Sequence, residues 1–97
     1  MTTPAVLLSP SDNVATLLAP VAAGGEVAID SGPREIRLQA LEPVALGHKI
    51  ALRDLAPGDR IIKYGECIGQ ATAPIARGAW VHIHNLRSLR AQAASSP

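Results

Sequence analysis

Phenylalanine is absent from this chain of 97 residues, and tyrosine, tryptophan, cysteine and methionine occur once each. The core must therefore be aliphatic. A single cysteine cannot close an internal disulfide, which excludes a stapled secreted scaffold. No run approaches the roughly 20 apolar residues that a helix needs to cross a bilayer. The opening segment MTTPAVLLSPSDN has no basic stretch before its short apolar run, so no signal peptide is expected and a cytoplasmic location is the default. Charge of one sign is also lacking: nine basic and eight acidic residues are mixed along the chain, leaving a net +1. Nucleic-acid binding needs a basic face that neutralises several phosphates. Arg77, Arg87 and Arg90 lean that way, but Tyr64 and Trp80 alone make a poor base-stacking platform. Nucleic acid and membrane are thus both excluded as partners.

What is present fits one domain. A chain of this size buries roughly 60–65% of the surface its unfolded form exposes, enough for one modest core. We place the domain at residues 1–90 and expect 91–97, QAASSP with its preceding Ala, to be a disordered tail. One local pattern recurs four times, as PVAAGGEV, PVALGHKI, LAPGDRI and PIARGAWV, each a turn glycine (24, 47, 58, 78) followed by an aliphatic strand-like run. Glycine supplies the positive φ that such turns need, and a preceding proline ends strand pairing. The intervals are too irregular for a solenoid but fit a chain that folds back repeatedly into short strands.

Candidate strands lie at 5–8, 26–29, 35–41, 48–52, 60–62, 66–71 and 80–86. Ile36, Leu38 and Ala40 alternate with Glu35, Arg37 and Gln39, and Trp80, His82, His84 and Leu86 alternate with Val81, Ile83 and Asn85. One short helix is expected near the start, capped by Ser11, Asp12 or Asn13, with Val14, Leu17 and Leu18 at helical spacing before Pro20. The fold class is mostly β with one short helix.

Most of the reactive side chains fall between Gly47 and Asn85: all three histidines, both lysines, and the only tyrosine, cysteine and tryptophan. Such a concentration points to one site. On a strand, His82 and His84 would project from one face, a start toward a metal site, with His48, Cys67 or Glu66 as further ligands. Substrate or proton contact is the reading we place first for them, with structural hydrogen bonding second and metal ligation third. Gly47-His48-Lys49 either presents an imidazole and an ammonium on a turn, a pairing that can hold a carboxylate and poise a proton, or is a solvated turn with a surface lysine. Lys63-Tyr64 is either a second anion clamp or a solvated lysine beside a packed ring. Cys67 and Trp80 read as core residues. No nucleophile–base–acid order, phosphate-binding glycine loop or carboxylate pair is visible.

The same residues carry a resemblance. GHKIALRDL, IIKYGECIGQATAPI and GAWVHIHNL, in that order, closely resemble the amino-terminal SAF domain of the altronate/galactarate dehydratase family, and LLSPSDNVATLL resembles its opening segment. Ile83 stands where many fused members carry threonine. The resemblance implies the β-clip fold of short, folded-back strands. It implies a part in β-elimination from a hydroxy acid, as a small subunit or N-terminal domain beside a large catalytic dehydratase subunit and inactive without it. The positions that match the family's motifs are His48, Lys49, Lys63, Tyr64, His82, His84 and Asn85; the resemblance does not divide the roles, and we expect His48, His82 and His84 to serve catalysis and Lys49, Lys63, Tyr64 and Asn85 to bind the sugar-acid substrate. The complete enzyme would require a divalent metal, iron or manganese, held mainly by the large subunit; homo-oligomers are compatible with this. Two alternatives are the alpha subunit of a sulfolactate sulfo-lyase and a non-catalytic carbohydrate-binding or assembly module.

Overall fold

Short aliphatic runs between glycine turns become short strands. The computed structural model describes residues 2–88 and, among them, contains nine strands and no helix. These are β1 (Thr2–Val6), β2 (Val14–Leu17), β3 (Glu26–Asp30), β4 (Glu35–Gln39), β5 (Lys49–Ala51), β6 (Arg60–Lys63), β7 (Glu66–Ala71), β8 (Trp80–Val81) and β9 (Leu86–Ser88). One sheet has six strands in the order β4-β3-β1-β2-β5-β8, and the other has three, β6-β7-β9. Every pairing is antiparallel except that of β1 with β3. The expected mostly-β class holds, and the tail expected at 91–97 lies outside the described residues.

Two expectations need correction. The helix over Val14, Leu17 and Leu18 does not form, because Val14–Leu17 is β2, paired on one side with β1 and on the other with β5. A spacing of three is helical and on a strand sends Val14 and Leu17 to opposite faces, but both faces of β2 are covered, Leu17 entering one core and Val14 another, and an isolated helix of this length is marginal. Pairing on both edges buries Val14, Ala15 and Leu17 almost completely and decides the outcome. The single strand expected over 80–86 is also broken: β8 stops at Val81, and a turn precedes β9. Asn85 makes that turn. Its side-chain oxygen accepts from the His82 N–H at 2.9 Å and its amide nitrogen donates to the Trp80 carbonyl at 2.9 Å. Its own N–H donates to the His82 carbonyl at 3.0 Å.

The four glycine patterns become four copies of one structure. In each, the N–H one residue after the glycine closes a turn onto the carbonyl three residues earlier: Gly25 on Ala22, His48 on Ala45, Asp59 on Ala56, Ala79 on Ala76. Gly24, Gly47, Gly58 and Gly78 all have φ between 82° and 91°, where a side chain costs roughly 1–2 kcal/mol. The copies pair two by two. Val21 and Val44 bridge the first pair, Leu55 and Ile75 the second. Within each pair every turn bonds the segment leading into the other. Gly24 and Gly25 bracket Ala40 while Gly47 and His48 bracket Leu17; Gly58 and Asp59 bracket Ala71 while Gly78 and Ala79 bracket Ala51.

The domain is thus two copies of one unit. The β3–β4 hairpin corresponds to β6–β7, and the pairing of β2 with β5 corresponds to that of β5 with β8, so that β5 serves both copies. Each copy has its own core. The first gathers Leu17, Val27, Ile29, Val44 and Ile50; the second gathers Val14, Leu55, Ile61, Ile75 and Val81.

Candidate functional site

The polar residues converge where the two copies meet at β5 and β8. Lys49 opens β5 and lies opposite Thr16 of β2 and Val81 of β8, while Trp80 opens β8 opposite Ile50. His48 precedes Lys49 in the second glycine turn. His82 and His84 belong to the turn that Asn85 closes. Although no strand carries the two histidines, both rings reach the indole. The Trp80 ring stacks on His82 at 5.2 Å between centroids and 13° between planes, and His84 tilts against it at 4.8 Å. His48 lies 4.9 Å from His82, and the Trp80 Nε1–H donates to His48 Nδ1 at 3.1 Å. Trp80 is half-buried and packs on the first core, so it joins the core and the site. It also borders an open apolar groove of about 350 Å³ with Pro20, Val21, Pro43, Val44 and Ala45.

The second part of the site is the β6–β7 hairpin. Lys63 ends β6, and Tyr64 and Gly65 form the two-residue turn with φ of 57° and 74°. Both central residues at positive φ match the twist of the flanking strands, yet such a conformation is strained for tyrosine. Asp12 supplies the compensation. Its carboxylate, 8% exposed, accepts from the Tyr64 N–H at 3.0 Å and the Gly65 N–H at 2.8 Å. Next to it, buried Asn13 donates to the Arg60 carbonyl and accepts from the Ile62 N–H, each at 2.8 Å. Asp12 and Asn13 therefore tie the hairpin to β2 instead of capping a helix. The Lys63 ammonium sits 4.8 Å from the centre of the Tyr64 ring, in reach of a cation–π contact.

Lysines and imidazoles reinforce one another's positive potential here. Partial burial, and then the charge of Lys63, hold the Lys49 amine below the ordinary lysine range. The pKa of His82 is also lowered, first by partial desolvation and then by His48, Lys49 and His84. No carboxylate figures among the groups that shift either residue. Glu42 does lie beside the cluster, where it accepts the Trp80 backbone N–H at 3.1 Å. Glu66 stands opposite Lys63 across the hairpin, yet no ion pair between described residues engages these two lysines or three imidazoles, and such a group of side chains can bind an anion and move a proton.

The other expected residues divide. Asn85 is buried, with both ends of its amide engaged by backbone, so in this structure it shapes the turn that presents the histidines. Cys67 is half-buried on β7, and its thiol donates to the Gly69 carbonyl at 3.4 Å. Among the described residues no three His, Cys, Asp or Glu side chains form a group that could hold a metal ion. His48 Nδ1 is moreover occupied by the indole. The residues present do not fit a divalent metal by themselves.

The altronate/galactarate dehydratase SAF domain family matches residues 3–89. The chain belongs to that family. It is 49% identical over 77 residues to altronate dehydratase of Escherichia coli (strain K12), an overlap covering 79% of this chain and 15% of that protein. It is 37% identical over 57 residues to (2R)-sulfolactate sulfo-lyase subunit alpha of Chromohalobacter salexigens, covering 59% of this chain and 61% of that one. With the corresponding subunit of Paracoccus pantotrophus it shares 39% over 62 residues, covering 64% and 92%. The chain thus spans less than two thirds of the first two relatives. Among the described residues no helix of this SAF domain is long and apolar enough to cross a membrane.

Sequence reasoning passed over Asp12 and Asn13, taken as helix caps, and favoured the core over the wall of a pocket for Trp80. For the first two a signal existed, since the Asp-Asn pair belonged to the family-like opening segment. Nothing in the sequence tied Trp80 to His48.

Proposed function

We propose that this SAF domain is the small component of a hydroxy-acid lyase, supplying a cationic, imidazole-rich face to an active site completed by a large catalytic subunit or domain. One observation carries this reading: His48, Lys49, Lys63, His82 and His84, drawn from three separate segments, gather at one end of the domain, and no ion pair between described residues joins any of them to a carboxylate. A sugar-acid carboxylate would be that partner, held by Lys49 and Lys63 beside Tyr64.

The chemistry is β-elimination. A base removes the proton from the carbon next to the carboxylate, the electron pair forms a carbon–carbon double bond, and the neighbouring C–O bond breaks. The hydroxide leaves as water once protonated, and the resulting enol tautomerises to a 2-keto-3-deoxy acid. His82, whose surroundings favour the neutral ring, suits the base; His48 and His84 suit contact with the departing oxygen. A divalent ion, iron or manganese, would supply Lewis acidity for the leaving group, and we assign it to the large subunit. The compartment proposed is the cytoplasm.

A second reading has its own support. The chain covers 92% of a sulfolactate sulfo-lyase alpha subunit, and the same face would serve an elimination in which sulfite leaves instead of hydroxide. Reconstitution separates the readings. The 97-residue chain alone should be inactive on altronate, galactarate and sulfolactate, and its cognate large subunit with ferrous or manganous ion should restore turnover on one of them. His82→Ala should then lower the rate by roughly 10²–10⁴-fold with the melting temperature nearly unchanged. Robust turnover by the isolated chain, or a histidine variant that loses stability and keeps its rate, would overturn the proposal.

A further inference from the structure

We propose that Trp80 is a positioning residue whose indole N–H fixes His48 as the tautomer protonated on Nε2, so that His48 meets a ligand as a hydrogen-bond donor. The indole nitrogen can only donate. With His48 Nδ1 at 3.1 Å from Nε1, the imidazole must present a lone pair at Nδ1. A neutral imidazole carries one proton, so that proton sits on Nε2, on the side of the ring away from the tryptophan.

The donor itself is well fixed. The Trp80 backbone N–H donates to the Glu42 carboxylate at 3.1 Å, its backbone carbonyl accepts from Asn85 Nδ2 at 2.9 Å, and its side chain packs on the first core. The contact also joins the two copies: His48 comes from the second glycine turn, and Trp80 follows the fourth, where the repeat places Lys49 in the first copy. Stacking of His82 and the tilted contact of His84 on the same indole give all three imidazoles one common wall.

The tautomer rests on this geometry alone; the donor role rests on the functional reading above. The test is nitrogen NMR on the uniformly labelled 97-residue chain near neutral pH. His48 should show a pyrrole-like Nε2 and a pyridine-like Nδ1, with a scalar coupling across the hydrogen bond to Trp80 Nε1. Trp80→Phe keeps a ring against His82 and His84 but removes the donor, so the coupling disappears and His48 moves toward a mixture of tautomers. Should that variant not fold, the wild-type coupling and shifts still decide. A wild-type His48 protonated on Nδ1, or one without coupling to Trp80, overturns the lock whatever the enzyme does. In the reconstituted enzyme Trp80→Phe should lower kcat roughly 10-fold or more with KM little changed, short of the ~10⁴-fold loss caused by a wrong tautomer in a histidine that must accept a proton. An unchanged kcat overturns the donor role and leaves the tautomer assignment standing.

Discussion

The two copies of the repeat share a backbone and differ in what they carry. Both have a hairpin, two reciprocally bonded glycine turns and an aliphatic core. The first hairpin, β3–β4, keeps its charges among themselves: Arg37 pairs with Glu26 and Glu35 on the exposed surface, where solvent screens the contacts and they add little to stability. The second hairpin, β6–β7, ends in Lys63 and Tyr64 and is tied down by Asp12 and Asn13. At the corresponding positions after the second and fourth turns stand Lys49 and Trp80. The scaffold accounts for folding; the proposed chemistry is confined to the end where the copies share β5. Function here is a decoration of a duplicated frame, and the decorated copy needs fixings that the plain one lacks.

The strongest challenge to the equivalence of the copies is at the turn glycines. Gly47 and Gly78 occupy corresponding positions with nearly the same φ. A Cβ on Gly47 would meet nothing within 4 Å, whereas one on Gly78 would lie 2.2 Å from the Gln39 carbonyl oxygen. Gly47→Ala should cost only the left-handed conformation, about 1–2 kcal/mol. Gly78→Ala adds a collision with backbone and should cost about 3 kcal/mol or more, enough to threaten a domain of this size. Calorimetry on both variants decides; equal losses would mean that the close approach of the fourth turn to β4 imposes no constraint.

Next in size is the fixing of the second hairpin. Asn13→Ala leaves the Ile62 N–H and the Arg60 carbonyl without their side-chain partner in a part-buried place, which should cost about 2–3 kcal/mol. The first hairpin offers the control. Asp30 only accepts from the exposed Gly32 N–H at its own tip, so Asp30→Ala should stay within about 0.5 kcal/mol. Urea unfolding measures both. Similar losses would show that the two hairpins are held alike and that the special role given to Asp12 and Asn13 is mistaken.

Much of the frame was legible in the sequence because positive φ leaves a chemical trace. Glycines 24, 47, 58 and 78 marked their turns, and alternation in 35–39 marked β4. The pairing of the turns was not legible, since Gly24 and Ala40 or Gly58 and Ala71 meet through backbone groups that every residue possesses. β2 escapes a local reading because both of its faces are buried, Val14 in one core and Leu17 in the other, so its apolar residues fall at a helical spacing and do not alternate. The site showed itself as an accumulation of His, Lys and Tyr after Gly47, yet the His82–Asn85 turn did not, because an asparagine that closes a turn and one on a strand look the same. Asp12 and the Tyr64–Gly65 turn lie too far apart along the chain for any local rule to join them.

A smaller effect should have the opposite sign. Lys49 holds a partly desolvated ammonium near Lys63 with no carboxylate among the groups acting on it, an arrangement useful for binding an anion and unhelpful to folding. Lys49→Met keeps the apolar stem against its neighbours and removes the charge. The melting temperature should rise while the reconstituted enzyme requires more substrate, a larger change in KM than in kcat. A lower melting temperature would show that Lys49 is part of the frame.

The smallest expected effect is a pH response confined to the decorated end. His82 has a lowered pKa in the folded chain, so just below the ordinary histidine value of 6.5 the unfolded chain binds more protons than the folded one. Stability must then rise with pH through that window and level off above it. Acidification from neutral pH therefore lowers the melting temperature, and His82→Gln should flatten this part of the curve. Lys49 follows the same rule at the alkaline end: its lowered pKa makes stability rise as pH approaches the ordinary lysine value of 10.5, and Lys49→Met should abolish that rise. The windows are well separated, so each variant should erase its own and leave the other. If His82→Gln leaves the acid limb unchanged, partial desolvation and the neighbouring positive charges do not lower the pKa of His82, and its assignment as the base loses its support.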